Sequence, residues 1–172
     1  MSSPQQDFLA LSFAVLTVSD TRDLASDTSG ALLEQGMKEA GHRLVERKVV
    51  QDEGKEIRNQ VQAWASASEP AVVLVTGGTG ITARDVTPEA IEPLYDKGLP
   101  GFGEIFRWLS YADIGAATIQ SRASAGVVQG TLVFLLPGST GACRLALEKI
   151  LLPQLDSRTR PCSFAGLMDR LS

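Results

Sequence analysis

The chain has 172 residues, 44% of them hydrophobic and 21% charged, an ordinary composition for one globular domain large enough to bury a core. A net charge of −4 argues against a nucleic-acid surface or an anionic membrane as partner, and no run reaches the roughly 18 apolar residues of a membrane helix. Any phosphate-bearing ligand must therefore be held locally, by backbone N–H groups, a metal ion or single Arg and Lys side chains.

Residues 1–12 read as a flexible arm. The opening MSSPQQDF has neither the basic nor the apolar region of a secretion signal, so a cytoplasmic location is expected. Residues 13–18 (FAVLTV) form a buried strand that ends in Ser19-Asp20-Thr21-Arg22. Asp27 or Thr28 caps a helix over about 29–40, and Gly41 stops it. His42, the single histidine, follows directly, where a capping role is expected rather than catalysis. A second strand, 43–50, finishes at Gln51-Asp52-Glu53-Gly54. A second helix, 54–67, carries Ile57, Val61, Trp64 and Ala65 on one face.

The centre of the chain is residues 72–88, VVLVTGGTGITARDVTP. Four apolar residues read as a strand covered on both faces. Thr76-Gly77-Gly78-Thr79-Gly80 can bend tightly and expose its N–H groups, while Thr87 suits an N-cap and Pro88 the first helical position. A buried strand, a bare loop and a helix start describe an anion pocket at the carboxyl edge of an α/β sheet; the alternative is a tight turn without a ligand. A helix at about 88–96 leads to a Gly/Pro hinge, 97–104, and a helix through Ile105, Phe106, Leu109 and Ile114, with Trp64 and Trp108 both expected in the core. Strands 123–128 and 131–136, joined by Gln129-Gly130, read as a hairpin. Pro137-Gly138-Ser139-Thr140-Gly141 then opens a helix running to about Leu152, and residues 153–172 form a tail whose scattered apolar groups suggest packing at a subunit interface.

The alternation predicts an α/β fold, a three-layer α/β/α sandwich with a mostly parallel sheet plus a C-terminal hairpin. It places Ser19-Asp20, Asp52 and the glycine loop on one edge, where ligands of open sheets bind. The loop is not a P-loop, because Gly-Lys-Ser/Thr is missing, and Gly78-x-Gly80-x-x-Ala83 matches the dinucleotide fingerprint only loosely. Asp52 and Asp85 each follow a strand or its loop. Two carboxylates beside a phosphate cradle repel unless a cation joins them, and Mg²⁺ is the usual one. The alternative is an Asx-turn at Asp52 with an Arg84–Asp85 surface pair. Arg122 could hold a phosphate with both arms, or be a surface charge. Cys143 and Cys162 lack a metal-ligand spacing and read as reduced thiols.

With these loops in place the chain resembles the MoaB and MogA family of molybdenum cofactor biosynthesis, related to plant Cnx and animal gephyrin G domains. The matching residues are LTVSDTR (16–22), DTSG (27–30), TGGTGITARDVTPEA (76–90), PGFGE (100–104), Ser121-Arg122 and LPGSTGACR (136–144), with QLDSRTRPCSF (154–164) pointing to the MoaB branch. The resemblance spans about 13–164. It implies binding of molybdopterin and transfer of AMP from Mg-ATP to the molybdopterin phosphate, by a hexamer or a trimer; a non-catalytic molybdopterin carrier is the alternative. It maps the catalytic, Mg²⁺-binding aspartates onto Asp52 and Asp85. Residues 76–80 with Ser121 and Arg122 are expected on the pterin phosphate. Ser19, Asp20, Asp27, Ser29, Gly30, Pro137, Gly138 and Ser139 are expected on nucleotide or adjoining pterin.

Overall fold

The computed structural model describes residues 7–67 and 69–171. Six strands, β1 (Ser12–Val18), β2 (Arg43–Val50), β3 (Val72–Thr76), β4 (Lys97–Gly98), β5 (Ser124–Val128) and β6 (Thr131–Leu136), form a sheet of order β2-β1-β3-β6-β5-β4. β1 runs parallel to β2 and β3, and β3 to β6, whereas β5 is antiparallel to both β6 and β4. The β5–β6 hairpin closes through Gln129 and Gly130, both at positive φ, as a two-residue turn between twisted strands requires.

The central strands are apolar without interruption because both of their faces are covered. Phe13, Val15, Val72, Leu74, Leu132, Phe134 and Leu136 point to one core. Ala14, Leu16, Val73, Val75, Val133 and Leu135 point to the other. Helices α1 (Thr28–Glu39), α4 (Pro100–Ile114), α5 (Thr140–Ala146) and α6 (Leu152–Leu155) cover the first face, and α2 (Gly54–Ser66) and α3 (Thr87–Ile91) the second. The architecture is the expected α/β/α sandwich. Among the described residues no helix is long and apolar enough to cross a membrane.

Several local expectations change. The helix expected at 88–96 is only α3, followed by a 3-10 turn at Glu92–Leu94, because Pro93 cannot continue the α-helical hydrogen bonds. α4 starts inside the expected hinge, with Pro100 in its first turn, and Gly103 lets the Ala123 carbonyl approach. The helix expected to run unbroken to Leu152 widens into a π-turn at Leu147–Leu151 before Pro153. Trp64 is buried and donates to Glu46 at 3.0 Å, but Trp108 is 71% exposed, on the far side of α4 from Phe102 and Phe106.

The two chain ends also differ from expectation. Residues 1–6 of the expected arm lie outside the described residues. Residues 7–11 are held down: Leu11 is buried, Ser157 Oγ accepts from Leu9 N at 2.9 Å and donates to the Asp7 carbonyl at 2.8 Å. Part of the tail's apolar surface is covered within the subunit. Leu155 and Ala165 are buried in the first core, and Phe164 packs on Phe134 with ring centroids 6.0 Å apart.

Candidate functional site

The carboxyl ends of β1, β2, β3 and β6 open into a cavity of about 780 Å³, within the usual range of small-molecule sites. The loop after β3 forms its floor. Gly77 and Gly78 have φ of 101° and 64°, and a side chain at Gly77 would collide with the Val18 carbonyl oxygen, so the turn requires glycine there. The loop carbonyls of residues 77–80 are all bonded, to Thr87 and Arg122, neither of which lines the cavity. Gly77 O accepts from Thr87 Oγ1 at 2.8 Å and Gly78 O from Thr87 N at 3.0 Å. Thr79 O accepts from Arg122 N at 3.2 Å and Gly80 O from Arg122 Nε at 2.7 Å. Thr87 thus spends its hydroxyl on Gly77 rather than on the expected helix cap, and Val86 takes the cap position. Gly77 N donates to Leu136 O. The N–H groups of Gly78 and Thr79 have no hydrogen-bond partner among the described residues, and both residues line the cavity.

Asp52 and Asp85 lie against this loop from two sides. A Cβ on Gly78 would sit 3.0 Å from Asp52 Oδ1, and one on Gly80 would sit 2.8 Å from Asp85 Oδ2. Their environments differ. Burial raises Asp52 above the usual carboxylate value, helped by the Asp20 and Asp85 charges and opposed by Arg84. Asp85 is lowered, foremost by the Thr82 hydroxyl, which donates at 2.6 Å beside the Thr82 N–H at 2.9 Å. Asp20 also faces the cavity; its Oδ1 accepts from the Asp52 N–H at 3.1 Å, and Arg84 grips both of its oxygens. Arg84 reaches Glu53 as well, at 3.1 Å, so it ties the loops after β1 and β2 together and does not form the alternative pair with Asp85.

Ser19, Thr76, Ser121, Pro137, Gly138 and Ser139 complete the expected lining. Thr76 Oγ1 donates to the Pro137 carbonyl at 2.9 Å, and Ser139 caps α5, which positions the loop after β6. Four expected site residues stand outside the cavity. Asp27 is buried, caps α1 through Gly30 N at 2.9 Å, and accepts from Thr17 Oγ1 at 2.7 Å and Arg47 at 3.1 Å. Gly30 leaves room for that carboxylate, and Ser29 Oγ donates to Gly138 O at 2.9 Å, so this motif braces the site from behind. Arg122 lines a neighbouring groove instead of the cavity. Its guanidinium bonds Gly80 O, Asp85 O at 2.8 Å and the Glu89 carboxylate rather than facing the cavity.

The sequence reading missed the opposite wall. Phe106, Ser110 and Ile114 of α4, with Thr118 and Gln120 beyond it, line the cavity, and so does Arg22. The four-residue spacing of 106, 110 and 114 with a buried serine in its middle was the available signal. Cys143 lies beneath the loop, its thiol pushed up to about 11 by burial, so it is an unreactive proton-bearing group against Thr76. Among the described residues no three His, Cys, Asp or Glu side chains cluster to hold a metal. Two carboxylates beside an anion cradle do suit a hard divalent ion that completes its shell with water and ligand phosphate.

A family model described as "Probable molybdopterin binding domain" matches residues 14–157. The chain is 51% identical over 164 residues to "Molybdenum cofactor biosynthesis protein B" of Escherichia coli (strain K12), covering 95% of this chain and 96% of that protein. Its fold matches a crystal structure of molybdenum cofactor biosynthesis protein B with a TM-score of 0.85 at 40% identity, covering 96% of this chain and 98% of the other. It also matches tungsten cofactor synthesizing protein MoaB from Pyrococcus furiosus, with a TM-score of 0.75 at 41% identity over 83% of this chain and 91% of the other.

Proposed function

This chain belongs to the family of molybdenum cofactor biosynthesis proteins with a molybdopterin-binding domain, and from that premise we propose that it transfers AMP from ATP to the terminal phosphate of molybdopterin. The observation that carries the reading is the pairing of two unpartnered loop N–H groups with flanking carboxylates at Asp52 and Asp85. The N–H groups of Gly78 and Thr79 receive the molybdopterin phosphate, with Ser121 beside them. Ser19, Asp20, Gly138 and Ser139 meet the nucleotide or the adjoining pterin. A phosphate monoester is already anionic at neutral pH, so its oxygen attacks the α-phosphorus of ATP without a strong base. The new P–O bond forms as the bond to the β-phosphate breaks, and pyrophosphate leaves.

What this step needs is in-line placement and relief of charge. Asp52 and Asp85 would hold Mg²⁺, which supplies charge neutralisation to the phosphates when bound. The absence of a catalytic histidine fits this chemistry, since His42 lies elsewhere. Purified molybdopterin with labelled ATP and Mg²⁺ tests the proposal. The expected result is AMP transfer that falls by at least about 100-fold in Asp52→Asn and in Asp85→Asn while the fold survives, the scale of losing a preorganised charge. Tight molybdopterin retention with no AMP transfer by the wild type would instead establish the carrier alternative.

Self-association as a trimer or hexamer is part of the proposal. Its support is no longer the tail but the exposed apolar side of α4, where Ile105, Trp108, Tyr111 and Ile114 stand with Ile119 nearby.

A further inference from the structure

Arg122 looks, by its type and its place in the Ser-Arg pair, like a residue that grips a ligand's phosphate, yet every arm of its guanidinium is turned onto the protein. Nε donates to Gly80 O at 2.7 Å, one terminal nitrogen to Asp85 O at 2.8 Å, and the other pairs with Glu89. Its backbone N–H takes Thr79 O at 3.2 Å. Three of these contacts lock carbonyls of the segment that makes the anion cradle and ends in Asp85. The locked direction matters. A peptide unit that flips in this loop would aim a carbonyl, the negative end of its dipole, at an anionic ligand and withdraw an N–H. Asp85 is fixed at both ends, its carbonyl by Arg122 and its carboxylate by Thr82. Arg122 is thus the only side chain whose bonds span both the glycine loop and Asp85 among the described residues.

We propose that Arg122 is a positioning residue: by holding the carbonyls of Gly80 and Asp85 it keeps the loop N–H groups and the Asp85 carboxylate aimed into the cavity, and it touches no ligand itself. The proposal rests on the reading that Asp85 serves AMP transfer. Lysine is not an equivalent replacement, because one ammonium cannot reproduce the fixed fork that meets Gly80 O, Asp85 O and Glu89 together.

The test uses the full chain with Arg122→Gln and Arg122→Lys. In AMP transfer, turnover is expected to fall at least about tenfold, with any rise in KM for molybdopterin smaller than that fall. Adding Arg122→Gln to Asp85→Asn should slow transfer by less than Arg122→Gln does alone, since part of its effect passes through Asp85. In hydrogen exchange of the ligand-free protein, the hydrogen-bonded amides of this segment, those of Thr82, Asp85 and Thr87, should exchange at least about tenfold faster, with the β-strands unchanged. Glu89→Gln, which removes only the exposed anchor, should give a smaller acceleration confined to the same segment, and it guards against an Arg122 variant that does not fold. A tenfold rise in KM with full turnover and unaltered loop exchange overturns the proposal and makes Arg122 a ligand contact. A wild type that transfers no AMP, with loop exchange still accelerated in the variants, refutes the adenylyl-transfer reading and leaves the strap standing.

Discussion

His42 is buried, and its Nδ1 accepts the Leu11 N–H at 3.2 Å, just where the chain enters β1. Expected from the sequence to cap a helix rather than to catalyse, it is committed to the fold in this second way as well. Accepting a bond requires the neutral ring, and burial lowers His42 below its ordinary 6.5, with the Asp156 charge opposing. The unfolded chain therefore binds the proton more readily than the folded one. Stability should be complete above about pH 6.5 and decline as pH falls below it. Urea unfolding near pH 7.5 and near pH 5.5 should show a larger loss in the wild type than in His42→Gln, which cannot titrate; equal losses would exclude this origin.

Gly77 carries the sharpest steric demand. Gly77→Ala should lower stability by about 1–3 kcal/mol in denaturant unfolding, because alanine is strained at that φ and its methyl meets the Val18 carbonyl. At this scale the sequence shows where Asp52 and Asp85 lie, since the end of a strand and the loop that follows one belong to the edge that bears the cavity. It shows Asp27 as the cap of α1 but not its bonds to Thr17 and Arg47, and it does not show Arg122 or Ser29 for what they are. Their bonding partners sit up to 109 residues away, and whether an Arg faces a ligand or a carbonyl depends on packing that no spacing encodes.

Among the elements, strands with uninterrupted apolar runs and helices with one apolar face are legible from their periodicity. α4 is not, because it carries apolar residues around its whole circumference. Phe102 and Phe106 choose the core, and Trp108, two residues on, is turned outward. The tail is a second case. Its apolar residues are sparse, and only the groove left by α4, α5 and β6 gives them cover. Leu155→Ala should therefore destabilise the subunit itself by about 2–5 kcal/mol, as buried leucines do. Thermal unfolding at several protein concentrations separates the possibilities: a loss independent of concentration is expected, whereas one that vanishes at high concentration would return the tail to an interface.

For the whole molecule, the sheet order places β3 between β1 and β6, so the loops bearing Ser19, Gly77 and Gly138 are neighbours. The apolar side of α4 lies beside this mouth, since Ile114 belongs both to the exposed stripe and to the cavity wall. If copies associate there, Trp108→Lys should reduce the mass measured by light scattering while leaving the subunit folded; an unchanged mass would remove α4 from the contact.

The seam between Asp7, Leu9 and Ser157, with Arg158 resting 5.1 Å over the Phe8 ring, closes the amino edge of the sheet, a full strand length from the pocket. Fraying there and occupancy of the pocket are therefore separate events. A protease that nibbles this margin, or a fluorophore attached to it, would leave ligand recognition undisturbed and offers a place to watch the molecule without touching its chemistry.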